Sequence, residues 1–174
     1  LIATTGGKIG QAAIDGNYPH VILPGGFEPR AALGLSFGPI LQLMQTLGFI
    51  PNQNQIIADT CAFLEENRKK MAVGIAEARN EAKKLANLLK DKIGIVYAGA
   101  DYYDVAAIRF KGQICENGKH LSYANICPEF NHNELVGFDY PKPLVKKLLV
   151  LFLSGPGDSK GVTNRIKVVD KILR

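Results

Sequence analysis

The residues best suited to acid–base chemistry are concentrated between positions 115 and 135 of the sequence. They are Glu116, Lys119, His120, His132 and Glu134. The stretch around them consists largely of Cys, Asn, Gly, Ser and Pro. Titratable side chains on irregular structure, bracketed by apolar strands, are typical of sites that transfer protons. Taken alone, each of these residues more often has a structural or solvated role.

Two further groups suit the binding of an anion. Thr5-Gly6-Gly7 offers a hydroxyl and backbone N–H groups at a predicted helix start, which is what a bound phosphate requires. Arg30 follows a Pro-Gly-Gly loop into an apolar helix, where its guanidinium could bind a phosphate or an enediolate. A simple turn and a surface arginine remain the alternative interpretations.

A metal site has little support in the sequence. The cysteines, Cys61, Cys115 and Cys127, form neither a C-x-x-C pair nor an even-numbered disulfide framework. His132-Asn133-Glu134 is an H-x-E segment without the further ligands of a zinc motif. We interpret the cysteines as reduced thiols of a cytoplasmic protein.

Composition excludes several classes of protein. The chain has 174 residues, 47% of them hydrophobic and 21% charged, which is typical of a globular protein and not of a disordered or collagen-like one. The net charge of +5 is scattered along the chain, so we expect no nucleic-acid surface. The apolar run Leu148–Leu153 is far shorter than the ~20 residues that a membrane span requires, so we expect no membrane partner.

Short apolar runs predict the strands that would position these groups. They are Leu1–Thr4, His20–Leu23, Ile93–Gly99 and Leu148–Leu153. A helix over Lys8–Ile14 between the first two predicts a βαβ unit with parallel, buried strands. After the third strand, Asp101 is the expected cap of a helix from Tyr102 to about Gln113.

Longer periodic segments predict helices. The first begins at Pro29, and the others cover Gln55–Lys70, Val73–Lys90 and Asn164–Arg174. We expect Pro39 to end or kink the first and Thr163 to cap the last. We expect Asn125–Phe130 to be irregular, because Pro128 does not fit a central strand.

Four stretches resemble one family of proteins. They are Thr5-Gly6-Gly7-Lys8, Leu23–Gly34, Cys115-Glu116-Asn117-Gly118-Lys119 and Pro128–Phe138. They resemble the archaeal and bacterial bifunctional phosphoglucose/phosphomannose isomerases, which are built from two sugar isomerase (SIS) domains. The resemblance implies an α/β fold, an SIS-type three-layer αβα sandwich with a parallel sheet of flavodoxin-like, Rossmann-like topology. It places the C-terminal part of a first SIS domain at residues 1–50 and a second, incomplete SIS domain at residues 51–174.

The resemblance also implies an activity and residue roles. Members interconvert glucose 6-phosphate or mannose 6-phosphate with fructose 6-phosphate through a cis-enediol, with no metal or other cofactor. Glu116 matches the catalytic glutamate of the motif N-E-N-x-K, His132 the ring-opening histidine of N-H-N, and Arg30 the loop arginine that stabilises the enediolate. Thr5, Gly6, Gly7 and Lys119 are the remaining expected substrate contacts. The family's histidine can come from a neighbouring subunit, so we expect a cytoplasmic homodimer with a shared active site.

The chain departs from the family pattern in places. Cys115 stands where Asn is expected and Gly118 where Ala or Ser is usual. The S-x-S-G-N-T phosphate-binding loop would precede residue 1, and a segment that contributes a lysine and a threonine would follow Arg174. We therefore expect a fragment that is inactive alone. The alternative interpretation is a non-catalytic SIS module that binds a phosphosugar in a regulatory or structural role.

Overall fold

The computed structural model describes residues 1–100 and 102–174. The chain forms two compact units, Leu1–Ala72 and Val73–Arg174. This division lies about twenty residues beyond the expected boundary at residue 50. The assignment of the two segments to separate SIS domains stays a prediction.

The first unit begins with the expected βαβ unit. Strand β1 (Ile2–Thr4) leads into helix α1 (Gly7–Asp15), which returns the chain to strand β2 (His20–Ile22). The strands are parallel, with Ile2 opposite His20. The prediction of a buried second strand is wrong for this unit, because all three residues of β2 are exposed.

Two longer helices complete the first unit. A 3-10 helix at Pro29–Ala31 precedes α2 (Leu33–Thr46), and α3 (Asn54–Lys70) follows. Helix α2 continues through Pro39 instead of ending there. The helix predicted over Gln55–Lys70 is confirmed by α3 to within one residue.

The second unit is built on a three-stranded parallel sheet. Its strands are β3 (Ile93–Gly99), β4 (Ser122–Cys127) and β5 (Leu148–Leu153), in the order β4-β3-β5. Ile93 lies opposite Leu148, and Gly94 lies opposite Ser122. The prediction of irregular structure from Asn125 is wrong, since Pro128 follows the last residue of β4 and removes no hydrogen bond from the ladder.

Helices cover both faces of this sheet. They are α4 (Glu81–Leu89), α5 (Asp104–Glu116), α6 (Glu129–Asn133), α7 (Lys142–Val145) and α8 (Lys160–Leu173), with 3-10 helices at Glu77–Arg79 and Leu135–Asp139.

Alternate strand residues divide the core between the two faces. Val96 and Ala98 of β3 pack with Ala107 of α5 on one face. Tyr97, between them, packs with Phe130 of α6 and Val169 of α8 on the other. Successive side chains of a strand point to opposite faces, so α5 lies on one side of the sheet and α6 and α8 on the other. This is the expected αβα sandwich.

Helix α4 begins much later than predicted. The buried side chain of Asn80 accepts a hydrogen bond from the N–H of Lys83 at 3.2 Å and caps the helix there. The Lys83 ammonium donates to the backbone oxygens of Val73 and Ile75, at 2.6 and 2.7 Å. These bonds hold the segment before Asn80 outside the helix.

The caps of the other helices differ from expectation as well. Ser159, not Thr163, caps α8, because its Oγ accepts a hydrogen bond from the N–H of Val162 at 3.3 Å. Tyr103 occupies the capping position of α5. The predicted cap Asp101 lies outside the described residues. Within the described residues, no helix is both long and apolar enough to cross a membrane.

Candidate functional site

Glu116 is the last residue of α5. The helix returns the chain from the carboxyl end of β3 to the amino end of β4, so Glu116 lies at the amino-terminal edge of the sheet. Its side chain is exposed. The fold of the chain alone therefore does not enclose this carboxylate.

The loop after Glu116 contains a second candidate and a structural residue. The ammonium of Lys119, in a left-handed backbone conformation with φ of 51°, donates to the backbone oxygen of Glu116 at 2.6 Å. His120 Nε2 lies 2.5 Å from the backbone oxygen of Lys92, so it donates a hydrogen bond to the residue just before β3. Lys119 stays beside the candidate base, whereas His120 tethers the loop to the sheet.

His132 lies on α6, in the opposite layer from α5. Phe130 of the same helix is buried and stacks on Tyr97, with ring centroids 4.0 Å apart and planes 6° from parallel. The His132 side chain is exposed. Since α5 packs on the other face of the sheet, one chain does not bring Glu116 and His132 together.

Glu134 joins α6 to two strands. Its Oε2 accepts a hydrogen bond from the Tyr97 hydroxyl, and its Oε1 accepts one from Asn125 Nδ2, both at 2.6 Å. Tyr97 and Asn125 are direct partners in the ladder between β3 and β4. Burial, together with the hydrogen bond to Glu134, raises the pKa of the Tyr97 hydroxyl well above its ordinary value.

This network has no direct sign in the sequence. Tyr97 belongs to an apolar strand, where its ring alone accounts for its presence. Asn125 lies in a segment expected to be irregular. Only the pairing of β3 with β4, with Tyr97 opposite Asn125, shows that both side chains can reach one carboxylate.

The candidate phosphate turn in the first unit has the expected backbone. Gly6 and Gly7 have φ of 126° and 69°, conformations that favour glycine, and α1 begins at Gly7 without a side-chain cap. The N–H of Gly6 donates to Thr4 Oγ1 at 3.2 Å. Thr4 therefore supplies the hydroxyl inside the turn, and the exposed Thr5 leaves its own available for a ligand.

Arg30 lies in the 3-10 helix of the same unit. Its Nη1 is 3.1 Å from Oε2 of Glu28, a partner in the preceding loop. Glu28 is well exposed, and ion pairs at exposed sites contribute only about 0–1 kcal/mol. An anionic ligand could therefore compete with Glu28 for the guanidinium.

The candidate residues thus divide into separate groups. Arg30 and the Thr5-Gly6-Gly7 turn belong to the first unit, and Glu116, Lys119 and His132 belong to the second. Of these candidates, Lys119 contacts Glu116, at its backbone oxygen. No three His, Cys, Asp or Glu side chains in the described parts of the chain are close enough to hold a metal ion.

Comparison with known proteins finds a matching family model and several relatives. A family model described as the bacterial phospho-glucose isomerase C-terminal SIS domain matches residues 78–174. A protein named bifunctional phosphoglucose/phosphomannose isomerase from Caldicellulosiruptor bescii is 36% identical over the whole chain and 51% of its own length. Proteins of the same name from Aquifex aeolicus and Thermoplasma acidophilum are 30% and 27% identical, over 99% and 97% of the chain and 49% and 48% of their own lengths.

The chain spans about half the length of these curated relatives. No solved structure matches it significantly.

Proposed function

This chain belongs to the bacterial phospho-glucose isomerase C-terminal SIS domain family, and from that membership we propose that its whole protein isomerises hexose 6-phosphates. The reaction interconverts glucose 6-phosphate or mannose 6-phosphate with fructose 6-phosphate through a cis-enediol, as in glycolysis and gluconeogenesis. The names of the curated relatives support this substrate class.

The proposed chemistry assigns a proton transfer to each titratable residue. His132 moves a proton to or from the ring oxygen, which opens the sugar to its carbonyl form. The Glu116 carboxylate removes the proton from C2 of the aldose and returns it to C1, while the proton on the C2 hydroxyl moves to the oxygen on C1. Arg30 stabilises the enediolate charge, and the Thr5-Gly6-Gly7 turn and Lys119 contact the substrate.

The observation that carries the proposed assembly is the separation of Glu116 from His132. The two residues belong to opposite layers of one sandwich, and both side chains are exposed. A site that uses both is complete when His132 of one copy meets Glu116 of another, and the second copy would then enclose the carboxylate. We therefore propose a homodimer with two shared sites, and the free cysteines support our proposal of a cytoplasmic location.

A coupled assay on the full-length gene product tests the activity. Fructose 6-phosphate and mannose 6-phosphate are assayed in parallel in the wild type, in Glu116→Gln and in Glu81→Gln, whose exposed carboxylate pairs with Lys84. We expect turnover in the wild type and in Glu81→Gln, and its loss in Glu116→Gln with substrate binding retained. Equal turnover in Glu116→Gln would remove Glu116 as the base.

A non-catalytic SIS module is the second candidate, and the exposure of Glu116 favours it. In that role the full-length dimer would bind fructose 6-phosphate without converting it. Calorimetric binding measured beside the turnover assay separates the two functions. Binding without turnover in a folded dimer would support the module and overturn the isomerase.

A further inference from the structure

We propose that Glu134 is a positioning residue that fixes the direction in which His132 projects from the protein. The inference rests on the proposed function, because it concerns the residue that would open the sugar ring. Glu134 does this by joining the end of α6 to the sheet, without contacting the substrate.

Helix α6 is fastened to the sheet at both of its ends. At its start, the Phe130 ring stacks on Tyr97. At its end, Glu134 follows the helix and binds both Tyr97 and Asn125. Tyr97 contacts both Phe130 and Glu134. These two contacts together determine the distance of α6 from β3 and the rotation of the helix about its own axis.

Helical geometry then determines where His132 points. An α-helix advances about 100° per residue, so Phe130 and Glu134, four positions apart, share a face. His132 is two positions from each and projects about 200° away from either. Its imidazole is therefore directed away from the sheet of its own chain, in agreement with its exposure.

Glu134 is the acceptor of both hydrogen bonds in this anchor. Both donors, the Tyr97 hydroxyl and the Asn125 amide, approach oxygen atoms that only accept. In Glu134→Gln, the amide oxygen would still accept from Asn125, and the amide N–H would donate to the Tyr97 hydroxyl, which also accepts. Glu134→Leu, of similar volume, removes both bonds of the anchor.

Asn125 allows a second test with a matched rescue, because Asn125→Asp replaces the donor to Glu134 with a second carboxylate. Its Oδ1 already accepts a hydrogen bond from the N–H of Ile126 at 2.8 Å, and the change Asn125→Asp preserves that acceptor. In the double variant Glu134→Gln/Asn125→Asp, the introduced amide donates to the introduced carboxylate and accepts from Tyr97. The double variant keeps the net charge and the number of hydrogen bonds of the wild type.

The first experiment measures kcat and KM for fructose 6-phosphate in the full-length enzyme. Misplacing a reacting group can cost about 100-fold in rate, so we expect kcat to fall about 10- to 100-fold in Glu134→Leu and in Asn125→Asp, with KM little changed. The double variant should recover most of the wild-type kcat. Glu129→Gln, which removes an exposed carboxylate from the same helix, is the control and should retain it.

The second measurement is amide hydrogen exchange of residues 129–133, which needs no turnover. Exchange should rise in Glu134→Leu and in Asn125→Asp and return to the wild-type rate in the double variant. Wild-type kcat in Glu134→Leu, or a double variant as slow as Asn125→Asp, would overturn the inference. A wild-type protein without turnover would overturn the proposed function and the role of Glu134 in it, whereas the exchange result would separately decide whether Glu134 anchors α6.

Discussion

Glu116 and His132, sixteen positions apart, lie on helices that cover opposite faces of the same parallel sheet. Strand β4 lies between them in the sequence. Helices α5 and α6 pack against alternate residues of β3, which point to opposite faces of the sheet. Closeness along the chain therefore does not bring the two side chains to one site. We therefore propose that a reaction that needs both takes place between two copies of the chain.

Subunit complementation should reveal this arrangement. We expect Glu116→Gln and His132→Asn each to be nearly inactive alone. In a mixed dimer of the two variants, the unchanged glutamate of one subunit meets the unchanged histidine of the other. With random pairing, activity should recover to about a quarter of the wild-type value, because half of the dimers are mixed and each has one intact site of two.

The measurement is the coupled assay after the two variants, carrying different affinity tags, are denatured and refolded together. Each variant refolded alone is the control for activity regained by refolding. If both residues served a single chain, each subunit of the mixed dimer would lack one of them. Activity no higher than that of the separate variants would therefore refute the shared site.

The stability of the protein should fall in alkaline solution partly because of Tyr97. Burial and Glu134 raise the pKa of its hydroxyl above the ordinary value of 10.0. Above about pH 10 the unfolded chain loses this proton and the folded chain keeps it, so the free energy of unfolding decreases as the pH rises, by at most about 1.4 kcal/mol per pH unit. Below about pH 10 this contribution is fully present.

Tyr97→Phe removes this titration and should flatten the decrease. It also leaves Glu134 Oε2 without its tyrosine donor, at a cost of about 1–3 kcal/mol at neutral pH. Urea denaturation at a series of pH values between pH 8 and pH 11, in steps of about one unit, measures both effects. Tyr123→Phe, which removes an exposed hydroxyl from β4, is the control. An unchanged slope in Tyr97→Phe would contradict the prediction.

The start of α8 gives a direct comparison between two capping residues. Ser159→Ala removes the oxygen that accepts from the N–H of Val162 and should lower the free energy of unfolding by about 1 kcal/mol. Thr163→Ala should change it by less than about 0.5 kcal/mol, because that residue lies inside the helix and alanine favours helices. Thermal and urea unfolding of the two variants measure the difference. A larger loss in Thr163→Ala than in Ser159→Ala would contradict the prediction.

Gly99 ends β3 where no side chain fits. A Cβ atom there would lie 2.5 Å from Val162 Cγ1 and 2.8 Å from Asp158 Oδ1. Val162 is β-branched and stiff, so Gly99→Ala should cost about 1–3 kcal/mol. Urea denaturation measures the loss, with Gly74→Ala as the control, because nothing lies within 4 Å of that position. Equal stability of the two variants would show that Val162 moves aside without lowering the free energy of unfolding.

Two strands were predictable from the sequence because each is a run of consecutive, mostly apolar residues. Ile93–Gly99 and Leu148–Leu153 are confirmed without a change of boundary. Strand β4 was missed because Ser122 and Asn125 are polar, and their reasons for being in a sheet lie elsewhere in the chain. The Ser122 hydroxyl donates to the backbone oxygen of Gly94 across the ladder, and Asn125 binds Glu134.

The helix starts were less predictable because competing side-chain contacts decide them. The apolar spacing before Glu81 is helical, but Asn80 and Lys83 bind backbone atoms that hold the segment in another conformation. The family was recognisable from its motifs, and the family model confirms it over residues 78–174. The site residues stay a prediction, since spacing along a chain carries no information about which face of a sheet each residue occupies.

The anchoring of α6 makes the length of one short segment as important as its composition. Phe130 and Glu134 reach Tyr97 together only when three residues separate them. Inserting or deleting one residue there would rotate Glu134 by about 100° and break one attachment, whichever residue is added or removed. Substitutions of the exposed Asn133 alter no attachment to the sheet. This segment should therefore tolerate a substitution far better than an insertion or a deletion.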